Sequence, residues 1–87
     1  MTYQLAYTAR ARKDAKKIAH SGLQSRAQRL LNVVQDNPYQ NPPPYEKLVG
    51  SLDGCYSRRI NITHRLVYEV SESERIARVP AMWTHYE

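Results

Sequence analysis

Phenylalanine is absent from this 87-residue chain, and cysteine occurs once, at Cys55. One cysteine excludes an internal disulfide and fits the reducing cytoplasm. The only glycines are Gly22, Gly50 and Gly54, and they match no phosphate-cradling fingerprint. Three widely spaced histidines and one cysteine offer no metal-ligand spacing, so no metal and no other cofactor is expected. No apolar run approaches the roughly 20 residues of a membrane span. Met1 to Leu5 lacks the charged and apolar regions of a signal peptide, so none is expected.

Acidic residues are also scarce, eight against thirteen basic, for a net charge of +5. The imbalance is local. Residues 1–44 carry seven basic residues (Arg10, Arg12, Lys13, Lys16, Lys17, Arg26 and Arg29) against Asp14 and Asp36, while residues 45–87 balance at six against six. The first half therefore presents either a surface for a polyanion or acidic protein, or ordinary solvated helix faces. What is abundant is tyrosine, seven residues, with one tryptophan. These supply the missing aromatic core area and keep a polar handle at a wet site. With 41% hydrophobic residues, the chain is expected to form one domain over residues 1–87 with a thin core.

Tyr3 to Tyr7 alternates and predicts a strand. Thr8 is placed to cap a helix over Ala9 to Ser21, with Ala11, Ala15, Ile18 and Ala19 at its period and Gly22 ending it. A second helix is expected from Leu23 to Asp36, burying Leu23, Ala27, Leu30, Leu31 and Val34 and ending at Asn37-Pro38. The pair reads as an αα-hairpin. Asn41-Pro42-Pro43-Pro44 is a stiff extended connector that either fixes where Tyr45-Glu46-Lys47-Leu48 begins or is a simple spacer. Strands follow at Cys55 to Ile60, His64 to Val70 and Arg75 to Trp83, with Pro80 placing the last at an edge or a bulge. The order predicts an α+β fold, a strand and αα-hairpin packed on a twisted antiparallel sheet.

Centring the hairpin turn on Ile62 pairs Arg59 with Arg65. Ser57, Arg59, Arg65 and Val67 then share one face, and Tyr56, Arg58, Leu66 and Tyr68 the other. Opposed arginines repel, which an anion between them relieves; alternatively one pairs with Glu46 or Glu69 and is structural. Glu46, Arg65 with Arg59, and His85 supply the parts of a metal-free ribonuclease: a base for the 2′-hydroxyl, a cationic clamp and an acid for the leaving oxygen. Tyr86 is suited to stack on a base. Cys55 is either a nucleophile beside His64 or His85 or a packed side chain, and its place in a strand favours packing.

Tyr45-Glu46-Lys47-Leu48, Gly54-Cys55-Tyr56-Ser57-Arg58-Arg59-Ile60-Asn61, His64-Arg65-Leu66-Val67-Tyr68 and the terminal Trp83-Thr84-His85-Tyr86 together resemble the YoeB/Txe toxins of the RelE superfamily. The Ala11 to Asp14 pattern and the Asn37-Pro38-Tyr39 exit fit as well. The resemblance implies a RelE-like fold and cleavage of messenger RNA in the A site of the 70S ribosome. It implies Glu46 as general base, His85 as general acid, and Arg65 and Arg59 as phosphate contacts. Tyr86 is implied as a substrate contact. It further implies a YefM/Phd-type antitoxin, operator DNA bound through the toxin–antitoxin complex, and a toxin homodimer.

This chain departs from the family pattern in three places. Thr63 stands where some members carry an acid, Val49 replaces a basic residue for which Lys47 is the substitute, and Glu87 follows the terminal His-Tyr. A carboxylate beside His85 is expected to raise its pKa and suit it to act as an acid. Two rival readings are a non-nuclease toxin of the same fold with a gyrase-type target and an inactive module that binds only antitoxin and operator DNA. The Glu46, Arg65, His85 and Tyr86 set argues against both.

Overall fold

The computed structural model describes residues 2–50 and 54–84, with the side chains of 83 and 84 left aside. Its elements run β1 (Gln4–Tyr7), α1 (Ala9–Ser21), α2 (Gln24–Asp36), β2 (Glu46–Lys47), β3 (Cys55–Arg59), β4 (Arg65–Ser71) and β5 (Ile76–Thr84). The sheet order is β1-β5-β4-β3-β2. The expected α+β architecture is present, two helices on a five-stranded sheet. Its pairing is antiparallel from β2 through β5, but β1 joins β5 in parallel, so the sheet is mixed. The connection that this parallel pair requires is the whole run from α1 to β4, the αα-hairpin followed by three strands.

Thr8 caps α1 as its position predicts. Its Oγ1 accepts from the Ala11 N–H at 3.1 Å and donates to the Pro80 carbonyl at 3.0 Å, fastening the helix start to β5. Gly22 ends the helix at φ 82°, the left-handed conformation that glycine adopts without steric cost. α2 buries Ala27, Leu30, Leu31 and Val34, as its period predicts. α1 differs from its sequence pattern. Ala11 and Ile18 are buried, but Ala15 and Ala19 are exposed and Asp14 takes the buried position between them. The cause lies in β5. It carries an extra residue twice against β4, between the Arg65–Thr84 and Val67–Ala81 pairs and again between Val67–Ala81 and Glu69–Arg78. Met82 falls in the first bulge, and the Asp14 Oδ2 accepts its N–H at 3.1 Å. Pro80 falls in the second, where its missing N–H costs no ladder bond.

The helices cover the sheet face carrying Leu66, Tyr68, Ala77 and Val79, and with Tyr3, Ile60 and Met82 they form the main core. Among the described residues the opposite face carries a small apolar cluster of Cys55, Val67 and Ala81 with Leu48 against it, and no helix residue joins it. Among the described residues no helix is long and apolar enough to cross a membrane.

Candidate active site on the sheet face away from the helices

The β3–β4 hairpin has the register its sequence predicts, with Arg59 opposite Arg65 and Ser57 opposite Val67. Asn61 sets that register. Its Oδ1 accepts the backbone N–H groups of Thr63 (2.9 Å) and His64 (2.7 Å), so the side chain shapes the turn. β2 pairs with β3 so that Glu46 stands opposite Ser57. Strand alternation therefore brings Glu46, Ser57 and Arg65 onto the face away from the helices. The Arg65 Nη1 donates to the Glu46 Oε1 at 2.9 Å and to the Ser57 Oγ at 3.2 Å. Arg65 is seated, its side chain 13% exposed, whereas that of Glu46 is 64% exposed. The arrangement is a fixed guanidinium holding an exposed carboxylate. A guanidinium fork suits a phosphoryl oxygen pair.

Arg59 does not repeat this. It is exposed, and its Nη1 donates to the Ile62 carbonyl at 3.2 Å. The like-charge opposition is thus relieved by Glu46 on one side, one of the two partners the sequence offers; Glu69, the other, pairs with Arg78 at 3.2 Å. Lys47 is exposed, and its register partner is Tyr56, so alternation puts it on the face away from Glu46; the structure does not bring it into the cluster. His85 and Tyr86 lie outside the described residues. They follow β5 directly, and the Asp14 bond to Met82 anchors the strand just before them.

Sequence reasoning passed over two residues. Ser57 is buried and bonds Arg65; alternation and register placed it on this face, but nothing assigned it a contact. Arg58, only 1% exposed, fastens the connector. Its Nη2 donates to the carbonyls of Pro38 (2.9 Å) and Gln40 (2.8 Å), its Nη1 to that of Pro43, and its Nε to the Tyr68 hydroxyl at 3.1 Å. That hydroxyl in turn donates to the Pro38 carbonyl at 2.7 Å. The guanidinium also lies 4.9 Å from the Tyr45 ring centroid, and Tyr45 meets Tyr56 edge to face. A buried cation with carbonyl dipoles around it thus pins the chain immediately before Glu46. The connector fixes where β2 begins, and Arg58 is what fixes the connector.

Cys55 packs with Val67 and Ala81, and burial pushes its thiol up, away from thiolate chemistry. Among the described residues no three His, Cys, Asp or Glu side chains gather to hold a metal ion.

Comparison with known proteins agrees with this geometry. A family profile for the YoeB-like toxin of bacterial type II toxin–antitoxin system matches residues 7–86. The Toxin YoeB of Mycobacterium bovis is 36% identical over 70 residues, which cover 80% of this chain and 72% of that protein. The solved YoeB/ParE toxin from Agrobacterium tumefaciens superposes with a TM-score of 0.86 at 27% identity, covering 95% of this chain and 99% of that one. A chain of the YoeB–YefM complex from Staphylococcus aureus gives 0.80 at 28% identity, covering 99% and 100%. The fold is that of the RelE-like toxins, and the chain belongs to the YoeB family of toxins of bacterial type II toxin–antitoxin systems.

Proposed function

We propose that this toxin is a ribosome-dependent endoribonuclease that cuts messenger RNA in the A site of the 70S ribosome and so stops translation in the cytoplasm. The observation that carries the reading is the Glu46–Arg65–Ser57 cluster, a seated guanidinium holding an accessible carboxylate on the sheet face away from the helices. In the reaction Glu46 takes the proton of the 2′-hydroxyl, which attacks the adjacent phosphorus. Arg65, with Arg59 beside it, takes the charge gathering on the phosphoryl oxygens. His85 protonates the departing 5′-oxygen, Tyr86 holds the substrate, and the product end is a 2′,3′-cyclic phosphate or its opened form. Each proton-transfer group contributes about 10²–10⁴-fold, and the electrostatic clamp a further few kcal/mol.

In-line attack needs a particular backbone geometry, and a domain of this size does little by itself to impose it on a flexible strand. The ribosome supplies the orientation, and the basic face of α1, with Lys13, Lys16 and Lys17 exposed, meets ribosomal RNA phosphate. A YefM/Phd-type antitoxin, acidic and ordered on binding, neutralises the toxin, and the complex binds operator DNA. The free toxin forms a homodimer. Of these partners, the antitoxin has support in the solved YoeB–YefM complex from Staphylococcus aureus, and the homodimer in the solved YoeB dimer from the same organism.

Primer extension on a defined messenger RNA in a purified translation system tests the central claim, with and without ribosomes, for wild type and His85→Ala. Cleavage that requires ribosomes and vanishes in the variant is the expected result. Folded wild-type protein that cuts nothing under either condition overturns the nuclease reading.

A further inference from the structure

Three arginines from separate parts of the chain converge on one groove away from the Glu46 cluster. Arg26 and Arg29 reach it from α2, and Arg59 from the end of β3. Leu30, Pro43 and Ile60 complete a hollow of about 250 Å³. No carboxylate lines it, and among the described residues none of the three arginines forms an ion pair. Three guanidinium groups gathered around one hollow repel one another, and an anion between them reverses the sign of that interaction. The floor is different in kind: Leu30 and Ile60 are apolar and nearly buried, a surface for sugar or base edges rather than for a lone inorganic ion.

Arg59 joins this groove to the face of the Glu46 cluster. Its register partner is Arg65, and its own side chain lines the groove. β2 ends the sheet after only two residues and pairs with Tyr56 and Ser57, so no strand covers β3 at Arg59. A linear polyanion can therefore pass from Arg65 past Arg59 to Arg29 and Arg26.

We infer that the Arg26–Arg29–Arg59 groove binds phosphates of the RNA strand being cut, on the flank of the scissile bond. The inference rests on the nuclease reading for the identity of that strand, but its test does not require cleavage. The measurement is equilibrium binding of a short fluorescein-labelled single-stranded RNA, with a 2′-deoxy residue at the cut site, by anisotropy across a KCl series. Wild type is compared with Arg26→Gln/Arg29→Gln, both on an exposed helix face. Loss of two phosphate contacts should flatten the slope of log affinity against log salt by about 1.4. It should weaken all RNA sequences alike. In the ribosomal assay the double variant should raise KM and leave kcat near wild type.

An unchanged salt slope overturns the inference even if wild type cleaves normally. A wild type that fails to cleave sinks the nuclease reading and leaves the binding result standing. If the double variant keeps its RNA slope but loses affinity for poly-glutamate, the groove is a site for an acidic protein, and the RNA assignment is wrong. A messenger RNA trimmed on one side of the cut separates substrate strand from ribosomal RNA. Loss of the wild-type advantage on trimming is expected; a KM difference that survives trimming on either side overturns the assignment to the cut strand.

Discussion

Glu46 reaches into solvent, and its bond to Arg65 is a surface ion pair whose contribution to stability is about 0–1 kcal/mol. So small a structural benefit separates two roles cleanly. Glu46→Gln should move the melting temperature by a few degrees at most and lower ribosomal cleavage by about 10²-fold or more. Scanning fluorimetry beside single-turnover cleavage decides; a large thermal shift with normal cleavage would make Glu46 a strut. At this scale the sequence was legible where strand alternation and turn chemistry act, because both are local. Asn61 fixes the Arg59–Arg65 register, and Glu46 stood among the partners it offered for an arginine. Ser57 was placed on the right face without a contact, since its partner lies on another strand. Lys47 was offered to the substrate as the substitute for the basic residue that Val49 replaces, but as Glu46's neighbour in a strand it takes the opposite face. Arg58 and Arg59 are alike in the chain, yet one is buried and the other exposed, and nothing in the string announces that three carbonyls will converge on the first.

The connector is the element whose rigidity the site depends on, and proline supplies only part of it. Arg58 closes the rest by bonding carbonyls at Pro38, Gln40 and Pro43. Arg58→Met keeps the apolar stem and removes the fork. It leaves buried acceptors unsatisfied and should cost on the order of 3 kcal/mol, lowering the melting temperature by more than about 10 °C. Arg58→Lys should not restore it, because the donors of an ammonium radiate from one nitrogen, whereas Arg58 reaches its acceptors from three. Equal melting temperatures for wild type and both variants would remove Arg58 as the connector's anchor. The helices were legible in outline, but the buried stripe of α1 was not. Ala11, Ala15 and Ala19 look equivalent by period, and only the bulge at Met82 explains why Asp14 is the residue turned inward. The parallel entry of β1 was likewise invisible, since direction belongs to the crossover and not to the strand's own residues.

At the scale of the molecule, one polar knot ties distant segments together. Glu72, on the β4–β5 turn, accepts from Tyr3 and from Tyr39, both at 2.8 Å, and Arg75 lies over the Tyr3 ring. The bond from Tyr3, and then that from Tyr39, hold the Glu72 carboxyl below its usual range. Partial burial and the same carboxylate push the Tyr39 phenol well up. A depressed carboxylate contributes stability above its unfolded pKa and loses it as pH falls through the folded one. A raised phenol contributes below its unfolded pKa and loses it as pH climbs. Urea midpoints should therefore fall on the acid side of the ordinary carboxylate range and again on the alkaline side of about 10. Glu72→Gln should flatten the acid limb; an acid limb identical to wild type would exclude Glu72 as its source. The position of β5 has a consequence in time. It follows every other strand in the sequence yet lies between β1 and β4, so synthesis delivers the middle of the sheet after both of its neighbours. Until Ile76 to Thr84 has been made, β1 has no partner and α1 has no strand to cover, and β2, β3 and β4 form at best a marginal remnant. The sheet of this toxin therefore closes only once its last strand has been made, and no earlier stretch of the chain can stand in for it.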